Sequence, residues 1–113
     1  MTTTNDAPVL LTVTTPIAAA HRAEFLEVVT TLIETARKEE GVLSYSVGED
    51  LLEPGTYVFV ERYRNDQALA EHQALPQCQS LLSGLPSWLA RGTTVRVGTV
   101  GQETTMPLEP AAG

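Results

Sequence analysis

The sequence predicts an α+β fold, in which a four-stranded antiparallel sheet carries helices on one of its faces. The first observation is the order of the predicted elements: a strand, a long helix, two strands joined by a tight turn, short helices and a last strand. The second is the alternation of side chains along the third strand, which indicates that one sheet face meets a core. Together they define a ferredoxin-like, four-stranded antiparallel sheet with helices on one face.

The first half of the chain supplies a strand, a helix and a second strand. Val9–Thr15 is rich in β-branched and apolar residues, which predicts a strand that ends at Pro16. Apolar residues recur at helical spacing over about 18–40 and predict a long helix. Gly41 follows as the expected C′ residue, where glycine can adopt a positive φ. The next strand is predicted over 42–52.

A hairpin and a short helix follow. Residues 53–55, Glu-Pro-Gly, predict a tight turn, and Thr56–Arg64 is the third strand. Asn65 or Asp66 is expected to cap a helix that runs to about Ala74.

The last part of the domain contains a predicted break. A helical stretch begins near Gln77, but Gly84-Leu85-Pro86 interrupts it, because proline inside a helix removes a hydrogen bond. We therefore expect two short helices that end near Ala90. The last strand is predicted over 93–100.

Length and composition limit the possible classes of protein. The chain has 113 residues, which predicts one domain over 8–101, between a flexible N-terminal arm, 1–7, and a C-terminal tail, 102–113. The formal net charge of −7 disfavours a nucleic-acid partner, since phosphates require a basic surface. No apolar run approaches the roughly 20 residues that cross a bilayer. With one cysteine and no signal-like start, we expect a cytoplasmic protein without a membrane partner.

The residues best equipped for chemistry lie where the third strand meets the next helix. Alternation places an acid and three aromatic rings on one strand face: Tyr57, Phe59, Glu61 and Tyr63. His72 is expected on the sheet-facing side of the following helix, with Ala68 and Leu75. Because imidazoles titrate near neutral pH, His72 is the candidate base.

Each of these residues also has a structural interpretation. His72 is either a base or a buried histidine that bonds to Glu61 or to a backbone carbonyl. Glu61 either orients His72, positions a substrate hydroxyl or forms a structural ion pair. The tyrosines are either aromatic surfaces for a ligand or ordinary core residues. Trp88 is either core or the lid of the pocket, and Cys78 is a small buried hydrophobe.

The sequence gives little support to a metal or a nucleotide cofactor. The chain's two histidines, His21 and His72, are far apart and have no clustered acids at ligand spacing. No glycine-rich phosphate loop follows a strand. We therefore expect no cofactor and no metal.

Three segments resemble the antibiotic biosynthesis monooxygenase family. They are KEEGVLSYSV, VERYRNDQALAEH and the proline that follows, and the matching positions are Glu40, Gly41, Tyr45, Glu61, Tyr63, Asp66, Ala68, Leu69, His72 and Pro76. The chain departs from the family at Tyr63, where tryptophan is most frequent, and at Gln77, where a second histidine is frequent. The first strand lacks the asparagine of the haem-degrading relatives, which argues against haem degradation.

The resemblance implies a dimeric α+β barrel and a quinol or anthrone monooxygenase of secondary metabolism. Such an enzyme oxidises an aromatic polyketide or a quinol, with dioxygen as co-substrate and without cofactor. The implied catalytic residues are His72, Glu61 and Tyr63, and the implied substrate-binding residues are Tyr45, Tyr57, Phe59 and Trp88. The alternatives are an isomerase or cyclase that uses the same pocket on a polyketide intermediate, and a non-catalytic dimer that binds aromatic ligands. In each case we expect a homodimer through the uncovered sheet face.

Overall fold

The computed structural model describes residues 6–111, so most of the predicted N-terminal arm lies outside the described part. A 3₁₀ turn at Ala19–His21 precedes the first α-helix. The strands and α-helices in this part of the chain are β1 (Val9–Pro16), α1 (Arg22–Ala36), β2 (Val42–Glu49), β3 (Thr56–Tyr63), α2 (Asp66–Gln73), α3 (Pro76–Trp88) and β4 (Val95–Thr99).

The four strands form one antiparallel sheet in the order β2-β3-β1-β4. In the centre of the sheet, Leu11 of β1 lies opposite Glu61 of β3 and Val97 of β4. Tyr45 of β2 lies opposite Glu61 from the other side. The predicted ferredoxin-like α+β fold is therefore confirmed, and Glu61 lies in the middle of its helix-covered face.

The core lies between the sheet and helices α1 and α3. Phe25 and Leu32 of α1 and Phe59 of β3 are buried almost completely. The ring of Phe25 lies 4.8 Å from that of Tyr57, and its contacts with Phe59 and Trp88 are edge-on. The alternating face predicted for β3 is thus the face that the helices cover.

The first helix ends earlier than predicted, and the reason given for Gly41 was wrong. Helix α1 ends at Ala36, and 37–40 form turns that connect it to β2. Within residues 6–111, Gly55 is the residue with positive φ, at 87°, in the predicted tight turn. Gly41 is instead required by close packing, since a Cβ there would lie 2.6 Å from the Cβ of Ala68.

The predicted break at Gly84-Leu85-Pro86 was also wrong, because α3 continues to Trp88. Pro86 has no N–H to donate to the carbonyl of Leu82, which costs helix stability. Both residues are exposed, so water can solvate that carbonyl. Buried side chains on either side of the proline, Leu81 and Trp88, hold the helix against the core.

Strand β2 and helix α2 end earlier in the chain than the sequence predicts. Strand β2 ends at Glu49 because the side chain of Asp50 accepts hydrogen bonds from the N–H groups of Leu52 and Glu53, and so forms a turn. The cap of α2 is Asn65, whose side chain accepts a hydrogen bond from the N–H of Ala68.

The sheet face opposite the helices is uncovered. Leu10 and Val60 lie there, 37% and 40% exposed, in register with polar residues of the neighbouring strands. Arg62 on this face forms an ion pair with Glu103 of the C-terminal segment. Among residues 6–111, none of the helices has the length and apolar character that a membrane span requires.

Candidate active site

A pocket of about 140 Å³ opens between the helix-covered face of the sheet and helices α2 and α3. Its walls are mainly apolar, and most of its polar groups come from β2, β3 and α2. The lining residues are Leu11, Val13, Thr15, Tyr45, Phe59, Glu61, Leu69, His72, Gln73, Cys78, Leu81, Leu82, Leu85, Thr93 and Val95. An apolar slot with a few convergent polar groups is typical of a small-molecule site.

Glu61 is a buried carboxyl group that is held by phenols. The Tyr63 hydroxyl donates a hydrogen bond to Glu61 Oε1. Burial raises the pKa of Glu61, because desolvation disfavours the charged form. The hydrogen bond from Tyr63, the Coulombic effect that His72 has when it is protonated, and a hydrogen bond from Tyr45 oppose this shift. Glu61 is thus a solvent-shielded group whose proton affinity is higher than usual.

The two phenols beside Glu61 are hydrogen-bond donors at neutral pH. Burial raises the pKa of Tyr45 and of Tyr63, and the nearby charge of Glu61 raises both further. Neither phenol therefore ionises to act as a base near pH 7. Tyr45 lines the pocket, whereas Tyr63 reaches it through Glu61.

His72 lies between the sheet and the turn that precedes β2. Its ring centroid is 5.2 Å from that of Tyr45 and 5.4 Å from that of Tyr63. Its Nδ1 atom lies 2.8 Å from Oε2 of Glu39. The predicted inward orientation of His72 is therefore confirmed, but its partner is Glu39 and not Glu61 or a backbone carbonyl.

Glu39 is the functional candidate that the sequence interpretation missed. The acidic-Gly pattern directed attention to Glu40, whose side chain points outward and lies 3.7 Å from Arg64. The available signal was the pair of consecutive glutamates before Gly41. One of two adjacent residues in a turn can face inward while the other faces solvent.

The predicted site residues divide into two groups. Tyr45, Phe59, Glu61 and His72 line the pocket, and Tyr63 supports Glu61. The structure does not bring Tyr57 or Trp88 to the pocket lining, and the rings of both pack against Phe25 instead.

The polar atoms of Tyr57 and Trp88 have partners outside the pocket. The Tyr57 hydroxyl accepts a hydrogen bond of 2.7 Å from Nε of Arg22. Trp88 Nε1 donates to Glu24 at 3.1 Å. Both side chains therefore form their hydrogen bonds with residues of α1.

Cys78 of α3 lines the pocket and is buried. Burial raises the pKa of its thiol to about 11, and the charges of Glu61 and Glu39 add to the shift. The thiol is therefore protonated at neutral pH, which supports its interpretation as a small hydrophobe. Across residues 6–111, no group of three or more His, Cys, Asp or Glu side chains is placed to hold a metal ion.

The fold is α+β with a ferredoxin-like sheet, and an apolar pocket that holds Glu61 and His72 opens beside that sheet. The model of one family, antibiotic biosynthesis monooxygenase, matches residues 8–82. The chain therefore belongs to the antibiotic biosynthesis monooxygenase family.

One relative and two solved structures are similar to the chain over most of its length. The chain is 28% identical over 101 residues to an uncharacterised protein of Synechocystis sp., with 89% of this chain and 69% of the relative covered. The structure of Rv0793 from Mycobacterium tuberculosis superposes with a TM-score of 0.79 and 26% identity, over 88% of this chain and 100% of that one. A candidate antibiotic biosynthesis monooxygenase from Deinococcus radiodurans superposes with a TM-score of 0.76 and 25% identity, over 88% and 98% of the two chains.

Proposed function

We propose that the protein is a cofactor-independent monooxygenase that oxidises a hydroxylated aromatic compound, a quinol or an anthrone-like ring, with dioxygen. The observation that carries the proposal is a single buried imidazole, His72, at the wall of an apolar pocket that also presents Glu61 and Tyr45. A ring fits the apolar walls, and its hydroxyl group meets the polar end.

In this proposal His72 removes the proton that starts the reaction. Because Nδ1 is bonded to Glu39, Nε2 is the imidazole atom that remains for the substrate. Proton removal gives an electron-rich anion that transfers electrons to dioxygen and forms a carbon–oxygen bond. The resulting hydroperoxide loses water, so that one oxygen atom stays in the product and the other leaves as water. A positioned base typically contributes about 10²–10⁴-fold to such a rate.

Glu61, Tyr45 and the apolar walls orient the substrate. The Tyr45 hydroxyl donates its proton to Glu61, so towards the substrate it can accept a hydrogen bond from a hydroxyl group. Glu61 can bond to a second hydroxyl group of a quinol. Phe59 and Leu81 exclude water from the ring.

The size of the pocket favours small substrates. An apolar cavity of about 150 Å³ holds one benzene ring. The pocket here has about 140 Å³ and is open, so one ring can be buried while a second ring reaches the mouth. Among the candidate substrates, one-ring and two-ring quinols are therefore favoured over the three rings of an anthrone.

Oxygen consumption tests the proposal. Metal-stripped protein is given 1,4-dihydroxynaphthalene or anthrone, the rate without protein is subtracted, and quinone absorbance is followed. We expect saturable uptake that falls at least about 100-fold in His72→Ala and is unchanged in His21→Ala, the matched control. A requirement for added flavin or metal, or turnover without oxygen, would contradict the proposal, and the latter would select the isomerase alternative. Ligand-induced stabilisation without turnover would select the binding alternative.

We also propose that a second copy of the chain covers the open sheet face. This face exposes Leu10 and Val60 beside Arg62 and Arg96, a mixture that suits an interface with a polar rim. Sedimentation equilibrium of the wild type and of Val60→Glu tests it. We expect a dimer that dissociates in the variant, and a monomeric wild type would contradict the proposal.

A further inference from the structure

We propose that Glu39 is a positioning residue of this site, whose carboxylate keeps the proton of the neutral His72 imidazole on Nδ1 and leaves Nε2 unprotonated for the pocket. The inference deepens the proposed function, because it names the group that prepares the base. Neither the sequence pattern nor the family resemblance pointed to Glu39.

The contact itself sets the direction of the hydrogen bond. Glu39 Oε2 lies 2.8 Å from Nδ1 of His72. A carboxylate has only acceptor atoms, so Nδ1 must donate. A neutral imidazole carries one proton, and its other nitrogen then has a free lone pair. Nε2 is therefore the basic atom of the ring, and His72 is one of the residues that line the pocket.

The backbone holds Glu39 in place. Its N–H donates to the carbonyl of Ala36 at 3.1 Å, and its own carbonyl accepts from Val42 N–H at 3.2 Å. Glu39 is thus fixed at the end of α1 and at the start of β2. Its side chain is 19% exposed, whereas that of His72 is 2% exposed. The carboxylate consequently closes the solvent side of a buried imidazole.

Helix α2 is docked against the same turn. Gly41 packs on Ala68, which lies one helical turn before His72. Arg64 N–H also donates to the carbonyl of Gly41, at 2.9 Å. These contacts fix the distance between the turn that carries Glu39 and the helix that carries His72, so the hydrogen bond forms between two rigid elements.

The other ionisable groups around the imidazole have different positions or partners. Glu61 and Tyr63 come from β3, Tyr45 from β2, and Cys78 from the pocket side of α3. The Tyr63 hydroxyl is committed to Glu61, and the two remaining groups, the Tyr45 phenol and the Cys78 thiol, stay protonated at neutral pH. Glu39 is thus the acceptor that sets the tautomer.

Nitrogen-15 NMR of the histidine side chains tests the inference without any turnover. Protonated and unprotonated ring nitrogens resonate at well separated shifts. In the neutral wild type we expect His72 to show a protonated Nδ1 and an unprotonated Nε2. In Glu39→Met, which has a similar length but no acceptor, we expect the proton to move to Nε2 in most molecules. Glu40→Met is the control, because Glu40 is 90% exposed, and it should leave the spectrum unchanged.

A kinetic measurement on the same variants separates positioning from folding. In Glu39→Met we expect kcat for oxygen uptake to fall about tenfold or more, with KM within about twofold, because only proton transfer is affected. Protonated Nε2 in the neutral wild type would overturn the inference, as would an unchanged tautomer in folded Glu39→Met. The wild-type nitrogen-15 spectrum tests the tautomer of His72 even if Glu39→Met fails to fold. Absence of oxygen uptake by a wild type with the expected tautomer would instead overturn the proposed function alone.

Discussion

Gly41 and Ala68 are in direct contact, and no side chain fits between them. A Cβ at Gly41 would lie 2.6 Å from the Cβ of Ala68 and 3.4 Å from its Cα. The contact joins the turn after α1 to the first half of α2. Because Glu39 belongs to that turn and His72 to that helix, a contact between two small residues determines the geometry of the candidate site.

Gly41→Ala is expected to destabilise the fold by about 1–3 kcal/mol, the usual cost of overpacking. The added methyl group must push α2 away from the turn, which lengthens the hydrogen bond between Glu39 and His72. Chemical denaturation measures the stability, and oxygen uptake measures the site. We expect both to decrease.

Two further variants control the Gly41 experiment. Gly92→Ala adds the same methyl group in the loop before β4, where nothing lies within 4 Å, and should leave stability nearly unchanged. Ala68→Gly removes the facing methyl group at a cost of about 1 kcal/mol. In the double variant the two changes should compensate. Simple additivity of the two losses would show that the Cβ atoms do not compete for space.

Glu61→Gln is expected to change how stability depends on pH. The folded-state pKa of Glu61 is raised, so the folded protein binds this proton more tightly than the unfolded chain. The stabilisation that results is complete below the ordinary carboxyl pKa, and it is lost as pH rises through the raised value. The glutamine variant does not titrate there, and so it should gain stability relative to the wild type with rising pH.

The stability of Glu61→Gln relative to the wild type should increase by about 1.4 kcal/mol for each unit by which folding raises the pKa of Glu61. Urea denaturation of both proteins between pH 4 and pH 8 measures it. Ser83→Ala, an exposed change on α3 that removes no titratable group, is the control and should show a flat difference. A difference that decreases with pH for Glu61→Gln would contradict the direction of the shift.

The sequence predicted those features that depend on local periodicity. The alternation along β3 placed Phe59, Glu61 and Tyr63 on the buried face, and the helical spacing placed His72 towards the sheet. The partnership between Glu39 and His72 joins residues 33 positions apart, and it depends on the docking of α2 against a turn. No local pattern encodes such a docking. For Pro86, a strong local signal was overridden by the packing of Leu81 and Trp88 on either side of it.

Pro86→Ala is expected to stabilise the protein by about 2–2.6 kcal/mol. Alanine restores the N–H that can donate to the carbonyl of Leu82, and proline is about 3 kcal/mol less favourable than alanine inside a helix. The greater freedom of the unfolded chain offsets about 0.4–1 kcal/mol. Thermal denaturation should show a higher Tm. Pro76 is at the first position of α3, where the missing N–H would have no acceptor within the helix. Pro76→Ala therefore restores no hydrogen bond and should not raise Tm.

A lower Tm in Pro86→Ala would show that the proline ring contributes contacts that outweigh the missing hydrogen bond. That outcome is not expected, because Pro86 is exposed.

Cys78 is expected to react slowly with thiol reagents in the folded protein. A thiol with a pKa of about 11 is ionised in about one molecule in a thousand at pH 8, whereas an ordinary thiol is ionised in about one in four. Labelling with iodoacetamide at pH 8 should therefore be at least about 100-fold slower in native protein than in denaturant. Between pH 8 and pH 10 the native rate should rise about tenfold per pH unit, since each unit increases the thiolate tenfold. A native rate equal to the denatured rate would mean that the pocket wall admits solvent at Cys78, and the dry site that the proposed oxygenation requires would then be absent.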